Sequence, residues 1–284
     1  MKQYIELGLR ILNEGEKRDD RTGKGTLAVF NHNMTFDLRE AFPLVTIKKT
    51  NYAWAFLEML WFLRGEDNTK WLHEHGCDLW DDWAGKNGHG PGELGPIYGV
   101  QWRSWSVNRT YVNDTGKPVC GSRHTIDQVR TLIDGLRNNP TSRRHIVTAW
   151  NVGEISEMGL PPCHWAHQCY VSNSGHLDMT LFLRSSDFAL GLPFNIAQYA
   201  LLQHLYARAS GLQVRKLHVH IGDAHLYQHH VDAMIRVLCE KQPFTPTAKL
   251  VINTDNTDID GYKPDDFTVE NYNSHPFVKF EVAV

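Results

Sequence analysis

Leu160-Pro-Pro-Cys-His164 sets a cysteine behind paired prolines and ahead of a histidine, where an irregular segment gives way to a strand-like run. A cysteine is ordinarily inert packing, and its thiol becomes a nucleophile only where nearby cations stabilise the thiolate. Arg21, Arg143, Arg144 and Arg184 are the cations that bear on this, with Arg143-Arg144 before one strand-like run and Arg184-Ser185 ending another. Each arginine alone is an ordinary salt bridge at a strand end. Converging with a hydroxyl, their forked guanidinium groups suit a phosphate dianion. Asn195, in Gly191-Leu-Pro-Phe-Asn195 at a helix start, is either a helix cap or a donor–acceptor pair able to read a base edge. Asp187 is either the ion-pair partner of Arg184 or a ligand for a polar heterocycle. Glu58 stands among Phe56, Leu57, Leu60 and Trp61, where a carboxylate must be paired, neutral or catalytic. His218, His220, His225, His229 and His230 crowd one segment. A helix there would put His225 and His229 on one face, but no acid or cysteine stands at a typical third-ligand offset, so no metal is expected.

The hydrophobic pattern outlines the elements that must hold these groups. Ile5, Leu9 and Leu12 repeat at helical spacing up to Gly15, and Leu27–Phe30 and Met34–Leu38 read as a pair of strands. Tyr52–Leu63 is an apolar helix closed by Arg64-Gly65. From Trp83 to Ser122 the chain is rich in Gly, Asn and Pro and reads as loops, before a helix marked by Ile126, Val129, Ile133 and Leu136. His145–Trp150, Gln168–Val171 and Leu177–Leu183 read as strands, the last with apolar residues at odd positions. Helices are expected over Phe194–Ser210 and Leu226–Cys239, with extended chain over Lys249–Asn253 and after Pro276. There is no repeat, low-complexity segment or linker, so the reading is a single α+β domain over 1–284.

Composition narrows the function classes. The 284 residues are 42% hydrophobic, enough for a sizeable core, and a net charge of −3 offers no global basic field to nucleic acid or acidic membranes. No apolar run approaches the ~18 residues of a membrane span, and Met1-Lys2-Gln3-Tyr4 opens no signal peptide. Five cysteines (77, 120, 163, 169, 239) without a CxxC pair fit a reduced cytoplasmic setting better than a disulfide scaffold. The sequons Asn108-Arg-Thr110 and Asn113-Asp-Thr115 then read as polar loop.

Taken together, the segments resemble the thymidylate synthase family over nearly the whole chain, from Asp20-Arg-Thr-Gly23 to Val282-Ala-Val284. The most specific pieces are Leu160-Pro-Pro-Cys-His164 with Gln168, Arg184-Ser185-x-Asp187 and Leu190-Gly-Leu-Pro-Phe-Asn195. Ser142-Arg-Arg144, Ala149-Trp-Asn151, Glu58-x-Leu60-Trp-Phe-Leu63, Gly95-Pro-x-Tyr98-Gly, Gln101-Trp-Arg103 and Asp223-Ala-His-Leu-Tyr227 follow the same pattern. Gly92-Glu-Leu-Gly95 and Asn273-Ser-His-Pro276 look like phage members. The resemblance implies a mixed β-sheet covered by helices, a sheet-to-sheet homodimer, and one-carbon transfer from 5,10-methylenetetrahydrofolate to C5 of dUMP. It implies Cys163 as the nucleophile, with His164 beside it in the catalytic group. Arg21, Arg184 and Ser185 would hold the phosphate, with Arg143 and Arg144 reaching across from the other subunit. Asn195 would pair with the uracil edge, and His225 and Tyr227 with the ribose. Glu58 would organise proton transfers and Tyr98 would assist proton removal from C5. Asp187 would meet the pterin, in a pocket lined by Leu79, Trp80, Trp83, Leu190, Gly191 and Phe194 and closed by Val282 and Ala283.

The pattern is departed from at Asn51 and Trp54, where relatives carry polar or basic residues near the folate tail, and at Leu183, where Gln is usual. Trp165-Ala-His167 is also atypical, and an insertion lengthens the loop between Trp105 and Ile126. Two reactions fit: reductive methylation of dUMP, and hydroxymethylation, in which water captures the C5 methylene. Relatives acting on dCMP tend to carry Asp at the position of Asn195, so Asn195 argues for uracil. Trp80, Tyr98 and the apolar tail favour methylation, whereas Ala166 and His167 are the places to look for a route admitting water.

Overall fold

The computed structural model describes residues 1–108, 111–119 and 123–283. Cys120, part of the Asn108-Arg-Thr110 sequon and the terminal Val284 lie outside them. Helix α1 (Lys2–Glu14) precedes strands β1 (Glu16–Arg18) and β2 (Thr26–Asp37), and helices α2 (Tyr52–Arg64), α3 (Lys70–Glu74) and α4 (Tyr98–Arg103) follow. Short strands β3 (Trp105–Asn108), β4 (Tyr111–Val112), β5 (Pro118–Val119) and β6 (Arg123–Ile126) pair as β3 with β6 and β4 with β5. Then come α5 (Gln128–Asn138), β7 (Ile146–Thr148), β8 (His164–Val171), β9 (His176–Asp187), α6 (Gly191–Ser210), β10 (Gln213–Tyr227) and α7 (Val231–Cys239). Strands β11 (Lys249–Ile252) and β12 (Phe267–Glu270) form a separate antiparallel pair.

The fold is α+β around a mixed six-stranded sheet in the order β1-β2-β10-β9-β8-β7, in which only β10 and β9 run parallel. Strand β9 shows why: Leu177, Met179, Leu181 and Leu183 are each at most 1% exposed, a period of two that gives one face to the core. Helix α6 lies against β9 and β10 and is apolar on almost every side, as a helix enclosed by protein must be. Helix α2 packs on α6. It is capped by the Asn51 side chain, which accepts the Trp54 amide, and stopped by Gly65 in the left-handed conformation (φ 73°). The atypical Asn51 thus has a local task.

Several expectations change. The runs Leu27–Phe30 and Met34–Leu38 are not a pair of strands, because the single strand β2 carries both, Leu38 lying just past its end. The segment read as loops contains α4 and β3 to β5. The helix expected from Leu226 begins only at Val231. Leu226 and Tyr227 end β10, a 15-residue strand that the pattern did not suggest, and a 3₁₀ turn over Gln228–His230 joins it to α7. His225 on a strand and His229 in a turn therefore share no helical face. Asn113 binds the amides of Thr115 and Lys117, so that sequon is a closed turn.

A line of irregularities crosses the sheet and prepares the site. Strand β8 shifts register against β9 between His164 and Ala166, and Asn31 in β2 takes a positive φ of 62°. In β9 the buried positions pass from odd (Leu183) to even (Ser186), and in β10 from Ile221 to Ala224. Gly222 sits at this break, where an added Cβ would lie 2.8 Å from the Arg184 carbonyl oxygen. Arg184 faces outward beside the buried Leu183, and the break past it turns Ser186, not Ser185, to the core and leaves Ser185 half-buried.

Candidate active site

Cys163 is the last residue before β8, and backbone and side-chain bonds hold it from both sides. Its amide donates to the Tyr98 hydroxyl (2.7 Å), and its carbonyl accepts the Arg184 amide (2.8 Å). The Arg184 guanidinium donates through Nε to the Pro162 carbonyl (2.8 Å) and through Nη2 to that of Pro161 (2.9 Å). Nη2 also lies 3.7 Å from the Cys163 sulfur. Burial pushes the thiol pKa up, and Arg184, the Tyr98 hydroxyl and Arg21 act against that rise. Arg184 is therefore both the clamp of the Pro161-Pro162 turn and the nearest cation to the sulfur.

The ends of β9 and β10 bring a second group. Their register sets Asp223 against Ser185 and His225 against Asp187. His225 Nδ1 donates to Asp223 (3.0 Å), with the Ser185 hydroxyl 3.5 Å from the same nitrogen. The bond from His225, with help from Arg18, holds the Asp223 carboxyl below the usual range. Burial pushes the Tyr227 phenol up to about 12. Arg21 is exposed on the loop between β1 and β2, which Asp20 shapes by accepting the amides of Thr22 (3.0 Å) and Gly25 (2.8 Å). Asp187 forms no ion pair with Arg184. It accepts the amides of Ala189 (2.8 Å) and Leu190 (3.4 Å) and so caps the turn into α6.

Helices supply the opposite wall. Glu58 on α2 accepts Trp80 Nε1 at one oxygen (2.6 Å) and Gln198 Nε2 at the other (2.6 Å). Desolvation raises its pKa to about 7, against the pull of those two donors. Asn195 is not the helix cap, since α6 already begins at Gly191; its amide donates to Gln198 Oε1 (3.2 Å). Trp80 is buried among Trp61, Phe62, Trp83 and Tyr98. His164 stacks on the Tyr98 ring (4.0 Å) and meets the Tyr199 hydroxyl through Nδ1 (2.9 Å). Burial lowers its pKa to about 3, so it stands neutral behind Tyr98.

Leu79, Trp83, Leu190 and Phe194 are partly buried against the core. Trp83 Nε1 is buried without a partner among the described residues, and nothing stands within 4 Å of where a Cβ on Gly191 would be. A flat heterocycle with polar edges fits such a lining. The tail reaches this region: Phe280 packs on His230, whose Nε2 meets the Glu281 carbonyl (2.9 Å), and Val282 and Ala283 follow, Val282 exposed. His230 thus holds the tail at Glu281. Arg143 and Arg144 stay apart. Both are exposed beside the edge strand β7, and among the described residues neither guanidinium enters a hydrogen bond or ion pair.

A comparison with protein families matches residues 2–284 to the family described as thymidylate synthase. The chain belongs to that family. Its members are enzymes that transfer one-carbon units to dUMP, with methylenetetrahydrofolate as co-substrate. Sequence reasoning missed Gln198, Tyr199 and Lys48. Gln198 was legible as a carboxamide one helical turn after Asn195, whereas Tyr199 read as plain helix core. Lys48 is buried with its ammonium 5.8 Å above the Phe280 ring and its pKa lowered by desolvation to about 8, with Asp187 opposing. Nothing in its local sequence marks it. No helix of the described residues is long and apolar enough to cross a membrane.

Proposed function

We propose that the chain methylates dUMP reductively to dTMP. The observation that carries this reading is the buried wall in which Trp80 is fixed by its bond to Glu58 and by the aromatic edges around it. A wall of that kind keeps water from an exocyclic methylene, which reduction requires and hydration does not.

On this reading the Cys163 sulfur adds to C6 of the pyrimidine and makes C5 nucleophilic. The forming enolate is met at O4 by the Asn195 amide, whose carbonyl accepts N3–H. Glu58, with its pKa near neutrality, passes protons through water, and Tyr98 assists removal of the C5 proton. His164 holds the Tyr98 ring from behind. Arg21, Arg184 and Ser185 anchor the phosphate, and His225, oriented by Asp223, meets the ribose with Tyr227. Leu79, Trp80, Trp83, Asp187, Leu190, Gly191 and Phe194 would hold methylenetetrahydrofolate, with Val282 and Ala283 over it. The chemistry it supplies when bound is the methylene carbon and a hydride.

Arg143 and Arg144 are assigned to the phosphate site of a second copy. The sheet's outer face supports a sheet-to-sheet homodimer. Trp165, Phe182 and His220 touch across neighbouring strands there, and Phe30, Ile146 and Tyr170 are exposed on the sheet. Hydroxymethylation draws no support from Ala166 and His167, since both are buried and His167 Nε2 is engaged by the Tyr206 hydroxyl (3.1 Å). Mass analysis of the product from dUMP and methylenetetrahydrofolate tests the reading. Methylation yields dTMP and dihydrofolate in equal amounts, whereas hydroxymethyl-dUMP with tetrahydrofolate and no dihydrofolate would overturn it.

A further inference from the structure

Gln198 joins two groups that the mechanism uses separately. It is fully buried on α6, one turn beyond Asn195, and spans from Asn195 to Glu58. Its two ends are not interchangeable. When Glu58 is ionised its carboxylate only accepts hydrogen bonds, so the end of Gln198 that faces it at 2.6 Å is the NH₂, as the structure has it. The carbonyl end then faces Asn195 and can only accept, which obliges Asn195 to turn its own NH₂ toward it at 3.2 Å. Reversing either carboxamide would set acceptor against acceptor in a buried place. The Asn195 carboxamide is thus left with one N–H and its carbonyl oxygen, in a fixed order, for whatever lies against it.

That order decides between bases. Uracil offers an acceptor at O4 beside a donor at N3, while cytosine offers a donor at the 4-amino group beside an acceptor at N3. A carboxamide free to rotate by half a turn can serve either pattern, and one that is locked serves only one. We propose that Gln198 is a positioning residue that fixes the orientation of the Asn195 carboxamide, through the Glu58 carboxylate, and thereby sets the preference of the site for uracil over cytosine. The proposal rests on the reading above, in which Asn195 meets the base.

Two substitutions separate this role from plain packing. Q198M keeps the length of the side chain and removes both hydrogen bonds. It should lower the dUMP-to-dCMP ratio of kcat/KM by about tenfold, with the KM for dUMP changed by less than about threefold because the phosphate anchors lie elsewhere. Q198E should hold the ratio within about threefold of wild type, because its protonated carboxyl donates to Glu58 while its other oxygen still accepts from Asn195. It should also move the acid limb of the kcat profile, since adjacent carboxyls share a proton. A folded Q198M with an unchanged ratio overturns the proposal, and so does a Q198E that loses the ratio as fully as Q198M. If Q198M does not fold, the side-chain amide spectrum of ¹⁵N-labelled protein decides. The Asn195 NH₂ signals, assigned by their loss in N195D, should shift in E58Q, and signals indifferent to E58Q overturn the coupling. A wild type that turns over neither nucleotide defeats the functional reading alone, because the amide spectrum still reports on Gln198.

Discussion

The strand ends and the helical wall each bring half of the site, and they hold their polar groups in different ways. On the strand side Cys163, Arg184, Ser185, His225 and Tyr227 follow from the ladder: the register of β8, β9 and β10 fixes their backbones, and Arg184 stays exposed. On the helix side Glu58, Trp80 and the pair Asn195 and Gln198 of α6 come from three separate segments and are joined through side-chain hydrogen bonds. The first arrangement suits anchoring of an anion that arrives with its own charge. The second suits proton chemistry, because desolvation brings Glu58 to about 7 and both of its oxygens are engaged. The difference teaches that anion anchoring and proton transfer are held by different means, and that damage to the two walls should read out differently.

The largest effect should come from Cys163→Ser, which on the proposed reading removes the nucleophile and leaves the anchors. Turnover should vanish while dUMP binding by calorimetry stays largely intact, and retention of more than a few per cent of turnover would remove Cys163 from its role. On the helical wall, Glu58→Gln should lower kcat by about a hundredfold with little change in KM, as expected on losing a proton-transfer group. It should also alter the pH dependence of stability. The folded pKa of Glu58 is raised to about 7, so its contribution is fully present below the unfolded value of about 4 and is lost as pH rises through 7. Denaturant midpoints should therefore show E58Q flattening the fall between those limits and gaining on wild type at pH 8. Identical slopes would mean that Glu58 is not held neutral.

Cross-subunit anchoring sharpens the strand side of the comparison. Arg143→Ala and Cys163→Ser chains, each inactive alone, should recover about a quarter of wild-type activity after full subunit exchange, because half the dimers then hold one intact site. No recovery once exchange is verified would confine each site to one chain. Asn195→Asp should lower the dUMP-to-dCMP preference about tenfold, since a protonated Asp matches the cytosine edge. An unchanged ratio would show that Asn195 does not read the base. The smallest change in rate, but a change in product, is expected from Trp80→Leu. Loosening the wall should divert part of the product to the hydroxymethyl form, and a product mixture identical to wild type would detach Trp80 from water exclusion.

Much of the strand side was legible in sequence. Leu177–Leu183 alternates cleanly, Pro161-Pro162 precedes the cysteine, and Arg184-Ser185-x-Asp187 follows the strand within one short stretch. Strand β10 was not legible. Its outward positions carry His218, His220, Asp223 and His225, and Leu226, His229 and His230 imitate helical spacing across what is a strand end and a turn. Its identity as a strand comes from pairing with β2 on one side and β9 on the other, which no local pattern contains.

By itself the sequence determined the local elements whose periods and stops are strong: α2 with its Gly65 stop, α6 as an apolar helix, the alternation of β9, and the residue types able to do chemistry. These depend on neighbours a few residues away, where side-chain spacing dictates which face is apolar. Only the tertiary structure decided that Ser185 meets His225, that Arg184 clamps Pro161-Pro162, and that Gln198 reaches Glu58 across 140 residues of chain. It also decided the break at Gly222, past which Ser186 and not Ser185 faces the core. Hydrogen bonds and desolvation depend on which atoms meet in space, and that meeting is set by the packing of α2 on α6 and by the register of the sheet, not by any spacing along the chain.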